Sequence, residues 1–149
     1  MVEGSGRPTL PEMEPVHVLV VEDDPEQVAL LHVLARKCSV PIRLHVAENG
    51  LDALQYLWGT TEAGSRNQAQ LVLLDLELPE LDGRKVLTEI RADPRLAKVP
   101  VVIVSASQRS DDVKHAYELQ ASGFLRKPIV AEDLDAMVRQ VVHRAVRWG

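Results

Sequence analysis

Four places in the chain set a chemically capable side chain just behind an apolar run. Glu22, Asp23 and Asp24 follow "HVLVV", Asp75 follows "LVLL", Ser105 follows "VVIV", and Lys127 closes "GFLRK". If those runs are neighbouring buried strands, acids, a hydroxyl and a cation meet at one sheet edge. Carboxylates crowded there push one another's pKa upward unless a cation sits among them. The donors are oxygens, with no His or Cys placed beside them, which suits a hard ion such as Mg2+ or Mn2+ rather than zinc. Asp75 is the candidate nucleophile, its carboxylate standing at a strand tip. An aspartate of ordinary pKa, about 3.9, is ionised at neutral pH and needs no general base to attack phosphorus. Phosphoryl transfer then needs mainly alignment and charge neutralisation. A metal would bridge Asp23, Asp75 and a phosphoryl oxygen, Lys127 would pair with a second oxygen, and the Ser105 hydroxyl could donate to a third.

The elements that must position these residues are legible in the hydropathy. Segments 17–21, 71–74 and 101–104 are short, continuous and rich in β-branched residues, as parallel strands buried on both faces are. Segments 43–47 and 123–127 are weaker strand candidates. Between them lie helix-like stretches at 25–37, 50–58, 83–92, 110–120 and 131–147. In the last, Leu134, Met137, Val138, Val141, Val142, Ala145 and Val146 form one apolar stripe at helical spacing. Asp93-Pro94, Pro100 and Asn49-Gly50 supply the punctuation. The order is βα repeated five times, which predicts an α/β fold, a doubly wound three-layer sandwich around a parallel sheet. In such sheets ligands gather at the carboxyl ends of the strands, where the four chemical positions fall. The one long connection, Gly59 to Gln70, is expected on the surface.

Composition narrows the function classes. The chain has 149 residues, 46% of them hydrophobic and 26% charged, enough for one core and one domain. A net charge of -5 argues against nucleic-acid or anionic-membrane binding. No apolar run approaches the ~20 residues of a membrane span, and the start carries no signal pattern, so a cytoplasmic location is expected. A single cysteine, Cys38, excludes an internal disulfide and reads as a small packed apolar group. Residues 1–15 read as a flexible tail and 16–149 as the domain.

The stretches "VHVLVVEDDPEQ", "LVLLDLELPELDG", "VVIVSAS" and "GFLRKP" resemble, in order and spacing, the four signature stretches of the bacterial response-regulator receiver domain, the CheY-like family. The likeness covers about Val16 to Trp148. It implies a flavodoxin-like sheet of order 2-1-3-4-5, for which CheY is itself a standard example. It implies Asp75 as phosphoacceptor, Asp23 as direct metal ligand, Glu22 as its water-linked neighbour and the Glu77 main-chain carbonyl as a further ligand. Ser105 and Lys127 match the family's hydroxyl and lysine, and Lys127-Pro128 its usually cis peptide. Phe124 matches the aromatic that, with Ser105, moves on activation. The implied function is a stand-alone response regulator without an output domain, not a separate enzyme. It takes its phosphoryl group from a sensor histidine kinase and answers to a downstream protein that the sequence does not identify. "LTEIRADPRLAKVPVVIVSAS" and the long 59–70 loop are similar to single-domain regulators that partner bacterial phytochrome kinases. Members of that group often dimerise, and apolar residues toward Trp148 would suit a homodimer interface; alternatively Trp148 caps the last helix.

Three departures stand out: Glu22 where Asp is commoner, Ser105 where Thr is commoner, and the acidic Glu77 two residues past the acceptor. Glu77 sits where the family tunes phosphate lifetime, and it is expected to slow or redirect water attack. Asp24, before Pro25, is expected to cap a helix rather than bind metal. Asp82-Gly83 reads likewise as a helix entry. The five histidines show no metal spacing. The "DLE" at 75–77 superficially resembles the haloacid-dehalogenase-type phosphatases, but there the nucleophile follows the first strand, whereas here the acid cluster comes first. A nucleotide or flavin site would need a phosphate-cradling glycine loop, which the chain lacks. A pseudo-receiver that only binds partners is disfavoured by Asp23, Asp75, Ser105 and Lys127 occurring together.

Overall fold

The computed structural model describes residues 14–60, 64, 65, 67, 69–79, 81–107 and 109–148, with side chains on the last helix as far as Val141 and at His143. The expectations for a tail before Glu14, for parts of the 59–70 loop and for the Trp148 side chain fall outside this description. Ten elements alternate along the chain: β1 (Val16–Val21), α1 (Pro25–Arg36), β2 (Ile42–Ala47), α2 (Gly50–Trp58), β3 (Leu71–Asp75), α3 (Gly83–Ala92), β4 (Val101–Ser105), α4 (Ser110–Glu118), β5 (Gly123–Arg126) and α5 (Ala131–Trp148). All strand pairs are parallel and the sheet order is β2-β1-β3-β4-β5. No helix of the described residues is long and apolar enough to cross a membrane.

The continuous apolar runs are explained by burial on both faces. Along β1, Leu19 and Val21 join one core with Val72 and Leu74 of β3, Ile103 of β4, and α2 and α3 through Leu54, Leu57, Val86, Leu87 and Ile90. The alternate residues Val18 and Val20 join Leu71, Leu73, Val102 and Val104 in a second core against Leu31 and Leu34 of α1 and Leu134, Val138 and Val141 of α5. Period-two alternation thus builds two cores from one sheet, which is why β3 and β4 are buried at every position.

Three helices begin just past the strand ends, each on a polar cap. Asp24 accepts from the Glu26 N–H, Asn49 from the Asp52 N–H and Asp82 from the Arg84 N–H, at 2.9, 2.8 and 2.7 Å. Gly83 opens α3 where a Cβ would run into the Asp75 carbonyl oxygen and lie 3.0 Å from the Leu76 Cα, so only glycine lets the helix start this close to β3.

One boundary differs by more than a residue from the reading of the sequence. The helical pattern suggested 110–120, but α4 ends at Glu118 and Gln120 takes a left-handed φ of 70°. The Ala121 N–H bonds the Ala116 carbonyl (3.0 Å) and the Gln120 N–H that of Tyr117 (2.9 Å), the Schellman pattern. That ending normally announces itself by a glycine, and here a glutamine fills the position.

Candidate functional site

The site is assembled at the carboxyl edge of β1, β3, β4 and β5, the central and adjoining strands. Glu22 leaves β1, Asp75 ends β3 and Ser105 ends β4, and these three are the buried polar residues of the fold among those described, at 4%, 4% and 0% exposure. Lys127 follows β5 directly, and its N–H donates to the Ser105 carbonyl at 2.9 Å, which fixes where its side chain departs. The Lys127–Pro128 peptide is cis, as the resemblance implied.

Lys127 Nζ lies 2.9 Å from Glu22 Oε1 and 3.3 Å from Asp75 Oδ2. Asp75 Oδ1 accepts from the Glu77 backbone N–H at 3.0 Å, so both its oxygens face a donor. Burial pushes the Glu22 carboxyl above its ordinary range; the Lys127 hydrogen bond opposes that, and Asp75 reinforces it. For Lys127, burial works against the charged form, but the hydrogen bond to Glu22 and the charges of Asp75 and Glu22 outweigh it and raise its pKa. One ammonium therefore serves two buried carboxylates.

A third acid joins them. Oxygens of Glu22, Asp23 and Asp75 lie within 4.8 Å of one another, with Asp23 exposed at the rim. A groove lined by Glu22, Asp23, Pro25, Val28, Val46 and Glu48 opens beside them. Three carboxylates with no nitrogen or sulfur donor fit a hard divalent cation. The Asp24 carboxylate stands apart, exposed and engaged as the α1 cap, while its N–H donates to Glu22 Oε2 at 3.3 Å.

Ser105 is where the sequence placed it, but its hydroxyl is engaged in a way the sequence did not announce. Oγ donates to Glu77 Oε2 at 2.9 Å and accepts from the Ser107 N–H at 3.0 Å. Ser107 Oγ donates in turn to Asp112 Oδ2 at 2.6 Å, and Arg84 reaches Asp112 at 3.4 Å. Ser107, Asp112 and Arg84 thus extend the site toward α3 and α4. In the sequence their signal was faint, a second serine two residues after Ser105 and an acid five further on. Phe124 is half-buried and packs against the core shared by α2 and α3. The histidines yield one surprise: His17 on β1 and His45 on β2 stack with ring centroids 5.1 Å apart, Nδ1 of one 2.8 Å from Nε2 of the other. Strand register, not sequence spacing, brings them together.

Residues 18–139 match the response regulator receiver domain family. Response regulator Rcp1 from Synechocystis sp. is 35% identical over 127 residues, covering 85% of this chain and 86% of Rcp1. Its Mn2+-bound crystal structure superposes with a TM-score of 0.69, covering 85% of this chain and 91% of that one. The phosphorylated cyanobacterial phytochrome response regulator RcpA superposes with a TM-score of 0.71 at 32% identity, over 86% of this chain and 91% of RcpA. A protein named "Probable methanogenesis regulatory protein FilR2" from Methanothrix harundinacea is 33% identical over 136 residues, covering 91% of this chain and 87% of FilR2. The chain belongs to the response regulator receiver domain family of two-component signalling.

Proposed function

We propose that this receiver accepts a phosphoryl group on Asp75 from the phosphohistidine of a sensor kinase, and that the domain spans 16–149. The observation that carries the reading is the meeting of Asp75, Lys127, Ser105 and the Glu22–Asp23 pair at one buried edge. In the transfer, an Asp75 carboxylate oxygen bonds to phosphorus as the phosphorus–nitrogen bond breaks, its electron pair staying on the departing imidazole. Lys127, already beside Asp75, would neutralise one phosphoryl oxygen. Ser105 would donate to another. The chain catalyses only its own phosphorylation and dephosphorylation.

The residues that would hold Mg2+ or Mn2+ are Asp23 and Asp75 directly, the Glu77 main-chain carbonyl, and Glu22 through a water. Such an ion supplies charge neutralisation for the in-line displacement. The chain's own residues orient the acceptor: the Glu77 N–H and Lys127 grip its two oxygens. Phosphorylation adds about −1.5 to −2 charge and three acceptor oxygens at the edge. Ser105 and Phe124 would then shift, and the surface of α4, β5 and α5 with them, as a population shift between two conformers.

The likeness to RcpA, a phytochrome response regulator, supports a phytochrome-type kinase as donor. A downstream protein as receiver of the output, and self-association as a homodimer, belong to the same proposal. We assign the protein to the cytoplasm, with neither nucleic acid nor membrane as partner. Incubation with Mg2+ and a small phosphodonor should add one phosphoryl mass to the wild type and none to Asp75→Asn. Phosphorylation of the Asn variant would overturn the assignment.

A further inference from the structure

Ser105 has one hydroxyl proton, and a single O–H donates to one acceptor at a time. That proton points to Glu77, not to Asp75. We propose that Glu77 is a positioning residue that holds the Ser105 hydroxyl off the acceptor carboxylate and so sets how readily the site takes a phosphoryl group. The inference rests on the reading of Asp75 as acceptor.

Glu77 holds both Asp75 and Ser105. Its backbone N–H binds Asp75 Oδ1 and its carboxylate binds the Ser105 hydroxyl. Ser105 is fully buried, so its hydroxyl must keep a partner. A phosphoryl group on Asp75 offers that partner, and Ser105 can turn to it only by leaving Glu77. Glu77 itself is exposed and can swing into water once released. It leaves readily because a new anion stands beside it. The unphosphorylated arrangement is therefore stabilised by a charge-assisted hydrogen bond that the phosphorylated one gives up. The release also moves more than one hydroxyl. The Ser107 N–H is bonded to the same Oγ, and the Ser107 side chain is bonded to Asp112 in the first turn of α4.

The test is equilibrium binding of beryllofluoride with Mg2+, which mimics a phosphoryl group on a carboxylate without undergoing hydrolysis. Glu77→Ala should bind it about five- to tenfold more tightly than the wild type, the net worth of one hydrogen bond whose carboxylate is exposed to water. Glu77→Gln, which keeps an acceptor oxygen, should tighten binding by about two- to threefold. With Ser105→Ala as background, Glu77→Ala should change the affinity by less than about twofold. In the metal-free, unphosphorylated protein, Glu77→Ala should speed hydrogen exchange at the Ser107 amide. Unchanged affinity in Glu77→Ala overturns the proposal. So does an equal gain in Gln and Ala variants, or an equal gain with and without the Ser105 hydroxyl, since either outcome means plain charge repulsion. If the wild type fails to bind beryllofluoride at all, the acceptor reading itself falls.

Discussion

Two half-buried cations hold opposite edges of the sheet, and they are satisfied in opposite ways. Arg91, in the last turn of α3, donates to the carbonyls of Gln120 (2.9 Å), Val99 (2.7 Å) and Ala97 (3.2 Å) and to Ser122 Oγ (3.3 Å). Every partner is neutral, and burial lowers its pKa without an anion to restore it. Lys127 faces buried Glu22 and Asp75, with Asp23 close behind. The arginine corner is complete as it stands: its fork closes the α3–β4 and α4–β5 connections and asks for nothing further. The lysine edge carries more negative charge than its one cation balances. A structural site ends with its donors and acceptors matched. This edge does not, and the shortfall of positive charge is what an incoming metal ion would supply.

The contrast can be broken by substitution. Asp23→Ala should produce the largest effect, loss of Mg2+-dependent phosphorylation by at least about 100-fold, the upper end of what removing even an indirect supporter of a metal ligand costs. Glu22→Ala should weaken Mg2+ binding less, because its proposed link runs through a water. A titration of Mg2+ against phosphorylation rate would rank the two, and the reverse order would mean the acids are assigned out of place. Arg91→Ala should cost about 2 kcal/mol in a urea melt, through carbonyls left without a donor, while the Mg2+ affinity stays put. Arg91→Lys should not restore it, since one ammonium cannot span the four acceptors. Were Arg91→Ala to abolish phosphorylation in the folded protein, the two edges would not be separable as structure and chemistry.

Asp24→Ala sharpens the same division inside the acid triplet. It should cost about 1 kcal/mol of stability as a lost cap and leave Mg2+ binding intact. The smallest effect belongs to the His17–His45 pair. Burial lowers both pKa values from the ordinary 6.5, with Arg43 adding to the effect on each and His17 also on His45, while Glu14 opposes it at His17. The unfolded chain therefore binds protons first as pH falls. Stability from the pair is complete above pH 6.5 and declines as pH drops toward the lowered folded values. Thermal melts between pH 7.5 and pH 5.5 should show a slope that flattens in His45→Gln; an unchanged slope would remove the pair from the account.

Much of this was readable from the sequence because burial on both faces leaves a continuous apolar signature. The runs at 71–74 and 101–104 located β3 and β4 to within a residue, and the residue after each run lies at the candidate site. Asp24 before Pro25 and Asp82 before Gly83 marked helix caps because the local chemistry of a first turn is carried by adjacent residues. What stayed hidden depends on tertiary neighbours. The acceptors of Arg91 are mostly backbone carbonyls, which every residue has and none advertises. The His17–His45 contact follows from pairing of β1 with β2, and the Glu77–Ser105 bond from the loop after β3 meeting the end of β4. The end of α4 was misplaced because the left-handed residue there is glutamine.

Gly83 divides the labour around Asp75. With no clearance for even a methyl group between the start of α3 and the Asp75 carbonyl, this wall of the site has no travel. The opposite wall is held by the side-chain hydrogen bonds of Ser105 and Ser107, which can change partners by turning a hydroxyl. A clamp with one anvil and one sliding jaw registers the size of what it holds by the position of the jaw alone. If Asp75 takes a phosphoryl group as proposed, the gauge would lie at the β4–α4 connection, with α3 as the fixed point from which its displacement is measured.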